Sequence, residues 1–311
     1  MISLRAVSKS YPSLIGRRVP AVDGVSLDVN AGEVVGIAGP NGAGKSTIIA
    51  MLLGFLRPTS GEVTVGGMAP RAYVERHGVA YLPELMSLVK SWRVDHALRR
   101  LAVLAGVPAS RVSQEVARVV AHLEIGEHVK KRIKALSKGN FQRVGLAQAL
   151  LCEHDVVVFD EPTHGLDPVW TQRFRGLVDA LRAPGRSMLV ASHNLDELER
   201  VCDRVAILDR GRLQRVVTVR GPAAGDGAVP ARAYRLRVAG DAQAALAAFP
   251  GAVVAGEHEI DVPPTDVAGL NAGLAQLIAG GVQVTALAPR ESALEAAFHA
   301  AVGAGGRGRA D

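Results

Sequence analysis

The stretch "EVVGIAGPNGAGKST", Glu33 to Thr47, decides the fold. Its second half fits G-x-x-x-x-G-K-[ST], with Gly39, Gly44, Lys45 and Ser46 at the fixed places. Glycines let several backbone N–H groups converge on phosphate oxygens, and a side chain at Gly42 or Gly44 would block that approach. Lys45 brings a positive charge to the outer phosphates, and the Ser46 hydroxyl takes a Mg²⁺ position. The residues from Glu33 to Ala38 predict a strand leading in. The apolar "IIAMLLGFL" that follows predicts a helix leading out from about Lys45, with its positive end at the anion. The nine residues Gly39, Pro40, Asn41, Gly42, Ala43, Gly44, Lys45, Ser46 and Thr47 are thus a candidate phosphate cradle in an α/β protein.

A second block, "EHDVVVFDEPTHGLDP", runs from Glu153 to Pro168. Val156 to Phe159 form the continuous apolar run of a central parallel strand buried on both faces. Asp160 and Glu161 stand at its C-terminal end, where open α/β sheets place their ligands. Alone, two acids there also fit a helix cap before Pro162. Beside a phosphate loop they read as chemistry: Asp160 holds Mg²⁺, and Glu161 orients and polarises the water that attacks a γ-phosphate.

Between the two blocks, "ALSKGNFQRVGLAQALL" carries Val144, Leu146, Ala147, Leu150 and Leu151 at helical spacing, which predicts a helix from about Asn140 to Leu151. Ser137 and Gly139 lie at its N-terminal approach. That is an anion site without an assigned phosphate, or a capped amphipathic helix.

Composition narrows the alternatives. The 311 residues suffice for a nucleotide-binding domain of about two hundred residues and a smaller second unit. Cys152 and Cys202 sit in apolar segments without CxxC, HExxH or a Cys/His cluster, so both read as buried thiols in a reducing compartment. The net charge of +6 suits an anionic surface. With no run of five basic residues and only 4% aromatics, no nucleic-acid partner is expected. "MISLRAVSKSYPS" has no apolar secretion stretch, which predicts a cytoplasmic protein. Val267 to Pro289 is uncharged, but its Asn271, Gln276 and Gln283 and the Gly280-Gly281 break predict a helix, a turn and a strand of a soluble domain.

The order of phosphate loop, "LSKGN", "VVVFDEP", "GLDP" and "ASHNLDE" resembles the ATP-binding subunit of an ABC transporter over about Ile2 to Val217. The resemblance implies a P-loop NTPase ABC cassette with a RecA-like core, an antiparallel β subdomain and a helical subdomain at about 91–140. It makes Gly39 to Thr47 the Walker A loop, and Asp160 with Glu161 the Walker B pair. Tyr11 matches the aromatic that stacks on adenine. Ser137, Lys138 and Gly139 match the signature loop, which in this family touches ATP held by the opposite subunit. Asp167 matches the acid of the loop that crosses the dimer interface, and His193 the switch histidine that reaches the γ-phosphate.

Two departures stand out. Pro83-Glu84 occupies the place of the family's Mg²⁺-ligating glutamine, so Glu84 becomes the candidate third ligand beside Ser46 and Asp160. The signature reads LSKGN rather than LSGGQ, with Lys138 in place of a glycine and Asn140 in place of a glutamine. Both departures resemble exporter ATPases whose membrane subunit is a separate chain. The expected partners are a second copy of the chain, or a homologous ATPase, and an integral-membrane permease. The expected cofactors are ATP and Mg²⁺, and the expected location is the inner face of the cell membrane. Leu88 and Trp92 are candidates for the permease contact. The alternatives are a soluble ABC ATPase acting on nucleic acid or the ribosome, or a regulatory ATPase of low turnover.

The cassette is expected over 1–218 and a Gly/Pro/Ala linker over 219–230. Beyond it, 231–311 alternates as β-α-β-β-α-β, with helices expected at Asp241 to Phe249 and Val267 to Ala279. This order predicts a small C-terminal α+β ferredoxin-like domain, and a closing helix lies in "SALEAAFHAAV".

Overall fold

The structure is a computed structural model that describes residues 1–12, 18–220, 232–240 and 242–303. The chain divides into two units, Met1–Gly221 with Ala301–Asp311, and Pro222–Ala300. Residues 221–230 of the stretch expected to be a linker lie outside the described residues.

The first unit opens with β1 (Ile2–Pro12) and β2 (Arg18–Val29), followed by β3 (Val34–Ala38), α1 (Lys45–Leu52), β4 (Ser60–Val65), α2 (Pro70–His77) and β5 (Ala80–Leu82). The helices α3 (Val94–Leu104), α4 (Val112–His122) and α5 (Lys138–Ala149) come next. The unit continues with β6 (Val156–Asp160), α6 (Pro168–Leu181), β7 (Ser187–Ser192), α7 (Leu195–Val201), β8 (Arg204–Asp209) and β9 (Arg212–Thr218).

Every residue of β3, β6 and β7 is buried, as strands covered on both faces require. They form the middle of a six-stranded sheet in the order β5-β6-β7-β3-β8-β9, parallel except for the antiparallel edge strand β9. The register aligns Ala38 with Ser192 and Asp160 with Ala191. Three strand ends therefore reach one edge together, and the phosphate loop, Asp160 and His193 all leave from it. β2, β1 and β4 make a separate antiparallel sheet. Its inward side chains, among them Ile2, Leu4, Val25, Leu27 and Val63, share one core with Ile37, Ile48 and Leu208.

The helices α3 and α4 bury Val94, Ala97, Leu98 and Ala102 on one side and Val112, Val116 and Val119 on the other. α5 starts two residues earlier than its apolar spacing predicts. The Ser137 hydroxyl accepts the Asn140 N–H at 3.2 Å, which places the cap at Ser137 and Gly139 inside the first turn. The cysteines also divide: Cys202 is fully buried, whereas Cys152 is only half-buried and its thiol donates to the Ala105 carbonyl at 3.4 Å.

In the second unit, β10 (Arg232–Ala239), α8 (Gln243–Leu246), β11 (Val253–Gly256), β12 (Glu259–Thr265), α9 (Val267–Ala279) and β13 (Gln283–Pro289) precede α10 (Ala293–Gly303). The antiparallel sheet runs β11-β12-β10-β13, so the first strand lies between the third and the fourth. α8 is shorter than the expected Asp241-to-Phe249 helix. Phe249 turns into the core beneath α9, where its ring lies so close to Gly273 that an added Cβ would meet Cε1 at 2.2 Å. The uncharged 267–289 segment is α9, a turn and β13. Among the described residues no helix is long and apolar enough to cross a membrane.

Candidate functional site

The phosphate loop is a tight turn whose glycines are needed for different reasons. A Cβ on Gly39 would lie 2.5 Å from the Leu208 carbonyl oxygen. One on Gly44, at φ +106°, would lie 2.5 Å from that of Ala21. Gly42, at φ +82°, has open space in front of it. The Lys45 side chain is largely buried and donates to the Gly39 carbonyl at 2.7 Å, so its ammonium is held over the loop. The result is a cavity of about 810 Å³ whose lining includes Asn41 to Thr47, Glu84, Asp160, Glu161, His164 and His193.

On the opposite wall, Asp160 is 4% exposed. Burial, and then the charges of Glu84 and Glu161, push its carboxyl up to about 6, against the pull of Lys45. A site with this many carboxylates is short of positive charge, and its hard oxygen donors, with the Ser46 hydroxyl, suit Mg²⁺. Among the described residues no group of three or more His, Cys, Asp or Glu side chains is arranged to hold a cation by itself. An ion here would complete its shell with ligand oxygens, as Mg²⁺ does at phosphate sites.

Glu161 adopts φ +50°, a left-handed conformation that costs a non-glycine residue energy and recurs at functional positions. Its N–H donates to the Ala191 carbonyl at 2.8 Å, and its buried carboxylate turns to β7. Oε1 accepts the His193 backbone N–H at 3.0 Å, and Oε2 lies 2.8 Å from His193 Nδ1. The Ser192 hydroxyl stands between two acids, 3.4 Å from Glu161 Oε2 and 3.1 Å from Glu197 Oε2. Glu197 also accepts from the Thr163 hydroxyl at 2.7 Å, and burial holds its carboxyl above the usual carboxylate range.

Ser137, Lys138, Gly139 and Asp167 do not line this cavity. Lys138 Nζ lies 2.6 Å from His164 Nε2, and Asp167 caps α6 by accepting the Trp170 N–H at 2.9 Å. Tyr11 also stands outside the lining, 37% exposed on β1 opposite Val19. Neither Trp92 nor Leu88 borders the cavity. Trp92 instead lines a separate groove with Val103 and Leu104. Sequence reasoning passed over His164, Gln142 and Glu197. Gln142 ties α5 to the turn after β6 by donating to the Glu161 and Pro162 carbonyls at 3.3 and 2.9 Å. Of these, only His164 had a local signal, four residues beyond Asp160 in an already suspect turn.

Comparison with known proteins identifies the family and the fold. The family model described as "ABC transporter" matches residues 22–164. The Nod factor export ATP-binding protein I of Rhizobium sp. (strain N33) is 33% identical over 218 residues, 68% of this chain and 68% of that one. The methionine import ATP-binding protein MetN of Caulobacter vibrioides is 37% identical over 222 residues, 68% of this chain and 65% of that one. The solved dimeric cassette MJ0796 of a bacterial ABC transporter superposes with a TM-score of 0.66 at 23% identity, over 71% of this chain and all of that one. The chain spans only 60–65% of the length of several curated relatives, MetN included. With the loop, the acidic strand end and the histidine arranged around one cavity on this fold, the chain belongs to the ABC transporter ATP-binding family.

Proposed function

We propose that the chain is the ATP-binding and ATP-hydrolysing subunit of an ABC transporter. Two copies work together on a separate membrane permease at the inner face of the cell membrane. The observation that carries this reading is the convergence of the phosphate loop, Asp160, Glu161 and His193 on one cavity at the carboxyl edge of the sheet. In this reading the loop N–H groups and Lys45 hold the β- and γ-phosphates. Ser46, Asp160 and Glu84 hold Mg²⁺, which when bound neutralises charge on the phosphate oxygens.

Glu161 takes the proton of the attacking water. Its Oε1 stays anchored on the His193 backbone N–H, while Oε2 exchanges the imidazole for that water. The same exchange frees His193, which is 61% exposed, to turn to the γ-phosphate. Asp167 and the signature residues Ser137, Lys138 and Gly139 lie outside their own chain's cavity. They are thus available to a nucleotide brought by a second copy, and Tyr11 stacks on the adenine. Closure on ATP and reopening after hydrolysis would drive the permease. Pro83-Glu84 and the LSKGN form favour export, and named relatives include both an exporter and an importer.

The test has two arms. The purified protein hydrolyses ATP, and Glu161→Gln lowers turnover by roughly 10²- to 10⁴-fold while keeping ATP binding. The tagged protein, recovered from gently solubilised native membranes, retains a multi-spanning membrane protein identifiable by mass spectrometry. Equal turnover of the two forms would remove Glu161 from its role. Recovery of ribosomal or DNA-bound proteins instead would overturn the transporter assignment.

A further inference from the structure

Lys138 stands where the general signature has a glycine, and its side chain follows a defined path. Its stem crosses the turn at Gly165, where a Cβ would come within 2.7 Å of Lys138 Cγ and Cδ and 2.8 Å of Cε. Gly165 is at φ +83°, so that position favours glycine for its backbone as well as for the space. At the end of the path, Nζ meets His164 Nε2 at 2.6 Å. An ammonium only donates, so His164 Nε2 must be the unprotonated nitrogen and the ring proton sits on Nδ1. The contact uses one of the three ammonium hydrogens and leaves two for another acceptor. Both residues are exposed, and His164 also borders the phosphate cavity of its own chain.

We propose that His164 is a positioning residue for Lys138. It holds the signature lysine extended over Gly165, so that the two remaining donors meet a terminal phosphate oxygen of the nucleotide carried by a second copy. This rests on the two-copy reading given above. A free lysine would have to freeze four rotatable bonds to reach such an oxygen, whereas one already seated on the Gly165 track loses little freedom on contact. The lysine, the histidine and the glycine form one device: each is unremarkable alone, but the stem, its acceptor and its clearance occur together.

The experiment uses the full chain with Glu161→Gln to block turnover, at Mg-ATP concentrations saturating for each variant. The dimer dissociation constant is read by sedimentation velocity. Lys138→Met weakens the dimer by on the order of tenfold, the scale of a charge-assisted hydrogen bond. His164→Ala weakens it by about fivefold, and His164→Gln, whose amide oxygen replaces the acceptor, stays within about twofold of the parent. The double variant Lys138→Met/His164→Ala is no weaker than Lys138→Met alone, because the histidine acts through the lysine. A parental constant for His164→Ala, or costs that multiply in the double variant, would overturn the positioning role while leaving ATP-driven pairing intact. A parent that stays monomeric at saturating Mg-ATP would remove the two-copy reading and the proposal with it. Thermal unfolding of each variant separates a folding defect from a loss of pairing.

Discussion

Asp160 shows how a buried acid records the function of its surroundings. Its carboxyl is pushed up to about 6, so without ligand the folded protein binds that proton more tightly than the unfolded chain does. The sign follows directly: the stabilisation is complete below the ordinary carboxylate value near 3.8 and is lost as pH rises through about 6. Above that point the ligand-free fold carries an unfavourable buried charge that Lys45 only partly offsets. Asp160→Asn is therefore predicted to stabilise the nucleotide-free, EDTA-treated protein at pH 8 by on the order of 1–3 kcal/mol, with a much smaller gain at pH 4. Urea unfolding of both forms at the two pH values measures this, and a gain that does not grow with pH would contradict it. The same substitution removes a proposed Mg²⁺ ligand, so stability and turnover should move in opposite directions, as expected where binding strain is kept in the unliganded state.

At the scale of elements, α5 links the site to what lies beyond it. Its N-terminus is fixed by Ser137, its first turn lies against Gly165, and Gln142 holds the carbonyls of Glu161 and Pro162 in the turn after β6. Ser137→Arg removes the cap acceptor and places a bulky cation at that end. The expected outcome is a loss of about 1 kcal/mol of stability with ATP binding by the monomer near normal, and no ATP-induced dimer. Dimers that still form and hydrolyse ATP would refute the trans role of the signature loop. How far such elements could be read in advance depended on the range of the forces that set them. The buried run from Val156 to Asp160 and the loop at Gly39 to Thr47 are local patterns, and they were legible. The start of α5 was missed by two residues because the apolar spacing begins inside the helix, whereas the cap is polar. The end of α8 was missed because Phe249 is drawn into a tertiary core. Gln142 escaped notice because the carbonyls it holds are 19 and 20 residues away, and the pairing of His164 with Lys138 spans 26.

On the scale of the whole molecule, the described residues include two apolar clusters, one in each unit, with no member in common. One draws on residues from Ile2 to Leu213, and the other on residues from Tyr234 to Val284. The cavity described above is lined entirely from the first unit, between Ala21 and His193. A unit with its own core, its own sheet and a complete half-site should fold and bind nucleotide without the other. A chain ending at Arg220 is therefore predicted to unfold cooperatively, to bind ATP as the full chain does, and to turn it over within about threefold of the full-length rate. Circular dichroism melting and a steady-state assay on matched preparations decide the matter. Failure to fold would mean that the cassette is not an independent folding unit. Folding with intact ATP binding but lost turnover would be more informative. Since one chain holds only half of each proposed catalytic site, that result would assign to the C-terminal residues the task of bringing two cassettes together.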